Sequence, residues 1–383
     1  MKGVAACAVL VVAAIVGTLA RGGHEFPVYP GYYADRIGIE TIDPNRASDL
    51  LKASKIQAYV GPGVSFKGSP PDPIGSVESL GSLVIVRVNQ DSPLAKDDSS
   101  ACAVMLAVVR ELAARPGAIT IHPYPVTPFH GDYLAHADLA EAAKARLLND
   151  ARASAPAPAR RVKVRASGSV ASDLFPPNWL TESANWDATV EEVPAAELVA
   201  VAKTQVNGWL GPPWVRTGWF QAAQLLQPSV DKPVDRDRVQ ADLLRLQTGA
   251  YQSAVERINL ERDLVSELTV GCRALVAGYT IKREYISTEY SAGIENIGFD
   301  SITGLNSSIF IRTAKLKDFP WNGRLSLGIG TQPAAAWNPI AGFNDSFGSL
   351  MWAAVGDPAV LPAPNDAGWM LNRISDVRAT PAR

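Results

Sequence analysis

Strand and helix patterns alternate through the first half of this chain, and this alternation restricts its fold more than any other feature. Residues 36–42 and 56–60 have strand character and are separated by a short helical pattern that begins with a capping aspartate and a proline. Residues 82–88 form a near-continuous apolar strand, as expected when both faces are covered. A longer helix and a strand at 118–122 follow it. This order predicts βαβ units with parallel strands.

The character of the chain changes after residues 151–161, an alanine- and proline-rich stretch of the kind that links domains. All nine tryptophans follow this stretch and all four histidines precede it. The second half starts with helical patterns, including a long one at 235–268. The period shifts to two residues from Tyr279 onward, and residues 309–316 are a further strand candidate. We therefore predict a two-domain mixed α/β protein. It has an α/β domain with βαβ units at 22–150, a linker at 151–161, and a helical and then antiparallel β domain at 162–383.

An apolar segment at the N-terminus predicts export. Residues 3–20 are apolar or small without a break and follow a single Lys2. Three interpretations stay open: a signal peptide cleaved after Ala20, an uncleaved anchor, since about 18 apolar residues can just cross a bilayer, and a buried cytoplasmic helix. We favour the first two, with residues 1–21 as the signal or anchor. Either places the rest of the chain in the periplasm or another extracytoplasmic space, and only this segment contacts the membrane.

Two cysteines lie beyond the export segment, Cys102 and Cys272. An extracytoplasmic compartment permits a disulfide bond, so a bond between them is one alternative. The other is a pair of buried thiols that behave as small hydrophobic side chains. We favour the thiols, because both cysteines have apolar neighbours and free cysteine is among the residues most often buried.

Three of the four histidines fall within fifteen residues, directly after the strand at 118–122. This segment contains His122, His130, Asp132 and His136. Imidazole and carboxylate are the usual ligands of zinc, copper and iron, and open parallel sheets bind ligands beyond the carboxyl ends of their strands. The four side chains therefore predict a divalent-metal site. Another ligand role stays open, as does a purely structural one in which they close the strand, cap a turn and start the next helix.

Three tryptophans are spaced five residues apart around a Pro-Pro pair: Trp209, Trp214 and Trp219. Such side chains can stack on a ring of a ligand or anchor a partner protein. They can equally fill a core beneath a proline-rich loop, because aromatic residues contribute much of the buried area of a core. We name them as candidate ligand-binding residues and keep core filling as the alternative.

Charge and motifs narrow the function. The net charge of −2 provides no basic field for nucleic acid. The sequence lacks the nucleophile elbow of serine hydrolases, the zincin helix, the C-x-x-C pair and both glycine-rich phosphate loops. The strand–helix–strand order at 36–61 resembles that of an extracytoplasmic solute-binding lobe, which is a likeness at the level of the fold.

We therefore hypothesise an exported binding or accessory protein of the cell envelope, which holds a small ligand between its domains or contacts an envelope protein. One alternative is an extracytoplasmic metal-dependent enzyme in which the His/Asp cluster binds a divalent ion that activates water. Another is an assembly or interaction protein that uses the Trp-rich surface.

Overall fold

The computed structural model describes residues 33–114, 119–152, 158, 160–168, 173–200, 212–230, 232–318, 323–333, 345–356 and 358–376. The predicted export segment at 1–21, most of the predicted linker at 151–161, and Trp209 lie outside these residues. In the part of the chain that is described, no helix combines the length and the apolar character that crossing a membrane requires.

The elements alternate along the chain. The strands are β1 (Arg36–Thr41), β2 (Ala58–Val60), β3 (Ile74–Val88), β4 (Thr120–Ile121), β5 (Val164–Ser167), β6 (Ala188–Pro194), β7 (Ala274–Ser287), β8 (Ile294–Asn296), β9 (Lys315–Leu316), β10 (Arg324–Ile329), β11 (Val360–Pro362) and β12 (Trp369–Leu371). The α-helices are α1 (Pro44–Lys52), α2 (Asp98–Ala113), α3 (Tyr133–Arg152), α4 (Ala195–Val199), α5 (Gly218–Leu226), α6 (Pro233–Thr248), α7 (Ala254–Leu268), α8 (Ser308–Thr313) and α9 (Ser346–Val355).

A mixed sheet of eight described strands forms the centre of the fold. Its order is β1-β10-β2-β7-β3-β6-β5, and β4 pairs with β7 as well. Strand β7 runs antiparallel to β2, β3 and β4, whereas β10 runs parallel to β1 and β2. Two small antiparallel pairs, β8 with β9 and β11 with β12, lie outside this sheet. The predicted mixed α/β class is confirmed.

Both predicted strand–helix–strand units are present, but each has a strand from the second half inserted into it. Strand β10 lies between β1 and β2 and is parallel to both. Strand β7 lies between β3 and β4 and is antiparallel to both. The two strands of each unit therefore run parallel, as predicted, without touching each other. One sheet thus combines strands from both sides of 151–161, and the predicted linker does not divide it.

Two predictions about the second half need correction. The continuous helical pattern at 235–268 is broken into α6 and α7, because Gly249 adopts a left-handed conformation (φ 69°) that ends α6. The strand predicted at 309–316 is helix α8 followed by the two-residue strand β9. The Ser307 side chain caps α8 by accepting from the Phe310 N–H. A short apolar run is ambiguous between strand and helix, and here the cap decides.

Strand β3 separates two hydrophobic cores. Leu83 and Ile85 belong to the core beneath α5, α6 and α7. Val84 and Val86 belong to the core on the opposite face, which contains the apolar side of α2. Since side chains alternate along a strand, both faces of β3 are covered, as its continuous apolar sequence predicted.

A disulfide bond joins Cys102 of α2 to Cys272, two residues before β7, across a sequence separation of 170 residues. The interpretation that we favoured from the sequence, two free buried thiols, is therefore wrong. Because α2 packs on β3 and β3 pairs with β7, the two Cα atoms lie 4.9 Å apart. Apolar neighbours could not reveal this proximity, since it depends on pairing between distant strands.

Candidate functional site

The segment after β4 is fixed by hydrogen bonds from its histidines. The backbone N–H of Thr127 donates to Nδ1 of His130 over 2.9 Å. Because Nδ1 accepts, Nε2 carries the proton and donates to Oε1 of Gln221 on α5 over 3.0 Å. His130 is buried, and burial lowers its pKa. The imidazole is therefore a neutral connector between the segment and α5.

Asp132 provides the N-terminal cap of α5. Its carboxylate oxygens accept from the N–H groups of Gly218 and Trp219, at 2.8 and 3.1 Å. Thr217, the residue that precedes the helix, forms no side-chain cap of its own. A negative charge at the start of a helix also complements its dipole. Asp132 thus holds α5 against the histidine segment.

The other two histidines also have partners within the protein. Nε2 of His122 donates to the carbonyl of Val126 over 2.9 Å, and Nδ1 of His136 lies 2.9 Å from the Tyr124 hydroxyl. Nε2 of His136 is buried without a hydrogen-bond partner. Burial lowers the pKa of both imidazoles.

The structure brings the four predicted metal ligands into one neighbourhood, where they join β4, α3 and α5. However, no group of three His, Cys, Asp or Glu side chains among the described residues is placed to hold a metal ion. The hydrogen bonds of the three histidines and Asp132 are those expected if these four residues have a purely structural role. Metal binding at these residues stays a prediction, which elemental analysis of the purified protein tests.

A buried carboxyl adjoins this network. Glu261 of α7 is 2% exposed and accepts from Arg257 over 2.7 Å. Burial raises the pKa of this carboxyl from 4.5 to about 7, although the Arg257 charge acts in the opposite direction. The negative charge of Asp132 adds to the increase. Near neutral pH, Glu261 is therefore divided between its protonated and ionised forms.

The described tryptophans of the Trp-rich segment pack against protein. Trp219 is 2% exposed and belongs to the core beneath α5 to α7. Trp214 is partly buried, and its ring centroid lies 6.2 Å from that of Trp219 and 4.6 Å from that of Phe220. Because the Trp219 ring is enclosed, it has no free face for a ligand. Ligand binding by Trp214 and Trp209 stays a prediction.

A cavity of about 760 Å³ borders the histidine segment at Pro123 and Tyr124. Helices α2 and α3 form two of its walls, and the end of α7 with the turn before β7 forms a third. Most of its lining is hydrocarbon or sulfur, including Met105, Leu106, Leu139, Leu147, Leu275 and the disulfide bond. The first two walls come from the half of the chain before 151–161, and the third comes from the half after it.

Few polar groups reach this cavity. Tyr124 lines it, but its hydroxyl is hydrogen-bonded to His136, and burial raises the pKa of that hydroxyl. The hydroxyl of Thr269 donates to the carbonyl of Val265 over 2.8 Å. Ser266 lies at the exposed end of α7, and Arg146 of α3 is the charged side chain of the lining. The walls therefore suit an apolar molecule, with polar contacts restricted to the rim.

No protein-family model and no curated protein matches the chain. Several solved structures share a distant likeness with it. The oligopeptide-binding protein AppA from Bacillus subtilis, in complex with a nonapeptide, has 13% identity and a TM-score of 0.37 over 69% of this chain and 57% of that chain. HbpA2 from Haemophilus parasuis has 13% identity and a TM-score of 0.42 over 72% of this chain and 57% of that chain.

NikZ from Campylobacter jejuni, in complex with Ni(L-His), has 14% identity and a TM-score of 0.36 over 67% of this chain and 56% of that chain. The chain thus spans less than two thirds of the length of each of these three proteins.

The residues of the cavity could not be identified from the sequence. The helical patterns of α2 and α3 were visible, and so was the cysteine pair. That these elements come together around one cavity was not visible, because it requires β7 from the second half to lie beside β3. Arg146 has no local motif, since a single arginine on an exposed helix is common.

Proposed function

We propose that the protein is exported and binds a small, largely apolar ligand in the cavity between α2, α3 and the start of β7. The observation that carries the proposal is the cavity itself. Its volume of about 760 Å³ and its hydrocarbon walls match small-molecule sites, which typically enclose roughly 300–1,000 Å³. A ligand there would contact both halves of the chain.

Two features support the extracytoplasmic part of the proposal. The apolar segment at 3–20 has the composition of an export signal or anchor. The Cys102–Cys272 bond fits an oxidising compartment, because disulfides are rare where thiols are kept reduced. An envelope protein that receives or delivers the ligand would be the accessory partner. Finding the intact chain among reduced cytosolic proteins would contradict this part.

A neutral fluorescent probe tests the binding site. We expect the protein, purified without detergent, to bind N-phenyl-1-naphthylamine with increased fluorescence. The substitution Ala142→Trp places an indole at an exposed position of the cavity lining, so the side chain has room without disturbing the core. It should weaken probe binding at least tenfold.

Ala145→Trp is the matched control, because Ala145 is an exposed residue of the same helix outside the cavity lining. It should bind the probe like the unsubstituted protein, and thermal unfolding would show that both variants fold. Absence of probe binding, or equal binding by all three proteins, would contradict the proposal.

A further inference from the structure

Among the residues that the structure describes, the lining of the cavity carries charge of one sign. Arg146 is the charged residue of the lining, its side chain is exposed, and no ion pair involves it among the side chains that the structure describes. A guanidinium keeps its positive charge at all physiological pH values and presents a planar set of donors that matches a carboxylate. The rim is therefore suited to one anionic group.

The remaining walls exclude a strongly polar ligand. The hydroxyls of Tyr124 and Thr269 are already used in hydrogen bonds to His136 and Val265. An extended peptide carries an N–H and a C=O on nearly every residue, and the hydrocarbon walls offer these groups no hydrogen-bond partners. Each such group would lose its hydrogen bonds to water without replacement, whereas a hydrocarbon chain incurs no such penalty.

The rim opposite Arg146, at the end of α7, does not attract an anion. The α7 helix ends at Leu268, so the negative end of its dipole lies at this rim and disfavours an anion there, while the carbonyls of Val265 and Ser266 accept from the backbone N–H and hydroxyl of Thr269. An anionic head group is therefore favoured on the α3 side, next to Arg146, with its apolar body against Met105, Leu139 and Leu275.

We infer that the ligand class is a monoanionic amphiphile, such as an alkyl carboxylate, whose head group binds Arg146 while its apolar body fills the cavity. This inference rests on the proposed function, because it names the chemistry of the molecule in the same cavity. The Arg146 contact sets which head group is preferred, and the walls supply most of the affinity.

Three probes with the same twelve-carbon chain test the inference: dodecanoate, dodecanol and dodecyltrimethylammonium. Displacement of N-phenyl-1-naphthylamine is measured below the critical micelle concentration of the two ionic probes and below the solubility limit of dodecanol. Dodecanoate should bind most tightly and dodecyltrimethylammonium least. Arg146→Gln should weaken dodecanoate binding about fivefold, the size expected of an exposed ion pair, and leave dodecanol binding unchanged.

Two further variants separate this contact from a general loss of positive charge. Arg146→Lys keeps the charge and should retain most of the preference for dodecanoate. Lys144→Gln removes an exposed cation of α3 that lies outside the lining, and it should change neither probe. Both outcomes are required if the head group lies at Arg146.

Equal binding of dodecanoate and dodecanol, or equal weakening of both by Arg146→Gln, would overturn the inference. In that case the neutral naphthylamine probe would still bind and Ala142→Trp would still block it, so the proposed function would stand. Loss of naphthylamine binding itself would instead count against the proposed function. The two failures therefore give different results.

Discussion

A buried acid beneath the histidine segment links the protonation of one residue to the stability of the whole protein. The Glu261 carboxyl has a pKa of about 7 in the folded protein and an ordinary value of 4.5. Between these values the folded chain keeps a proton that the unfolded chain has lost. The contribution of Glu261 therefore becomes unfavourable as the pH rises from about 4.5 to about 7, and it stays so above that window.

We expect Glu261→Gln to remove this penalty, because the amide preserves the shape of the side chain and does not ionise. Relative to the unsubstituted protein, the variant should gain more stability at pH 8 than at pH 5, by up to about 3 kcal/mol. Urea unfolding at the two pH values measures the difference.

Glu256→Gln on the same helix is the control for loss of an ion pair, since Glu256 pairs with Arg245 but is more exposed. Its effect on stability should vary less between the two pH values. A gain for Glu261→Gln that is identical at pH 5 and pH 8 would contradict the assigned titration.

The disulfide bond attaches the first turns of α2 to the turn before β7 at the wall of the cavity. A cross-link that closes a long loop limits the conformations of the unfolded chain. Removal of a native disulfide typically costs about 2–5 kcal/mol. The bond should therefore contribute to stability even though α2 also packs on β3.

The double substitution Cys102→Ala, Cys272→Ala should lower the free energy of unfolding by that amount in urea titrations. Reductant should destabilise the unsubstituted protein to a similar extent and leave the double variant unaffected. If reductant had no effect on the unsubstituted protein, the cysteines would be free thiols in solution, as we first favoured.

For the whole molecule, the shared sheet predicts a single unfolding unit. Strands β1 and β2 are joined through β10, and β3 and β4 through β7, so the first half has no complete sheet of its own. Two-state unfolding is expected when the elements depend on each other in this way.

The distribution of tryptophans provides the measurement, since all nine follow residue 161. Tryptophan fluorescence reports the second half alone, whereas far-ultraviolet circular dichroism reports both halves. The two transitions should coincide in urea. Separate transitions would show that the halves unfold independently, as a division at the predicted linker would require.

Local patterns in the sequence predicted many of the helices and strands but few of the contacts between them. The continuous apolar run of β3 correctly predicted a strand covered on both faces, because alternation and burial are encoded in adjacent residues. The prediction of a strand at 309–316 was wrong, because this short apolar pattern fits a helix equally well. The His/Asp segment was recognised as unusual, but its hydrogen-bond partners on α5 lie more than 80 residues away.

The alternation of helices and strands, the mixed α/β class and the apolar N-terminal segment could therefore be predicted from adjacent residues. Which strands are neighbours, whether Cys102 and Cys272 meet, and where the cavity lies became apparent only in the folded chain. These features join residues that are far apart along the chain. Contacts such as the Gly61 N–H with Glu284, 223 residues apart, depend on how complete apolar faces fit together. No short stretch of sequence contains that information.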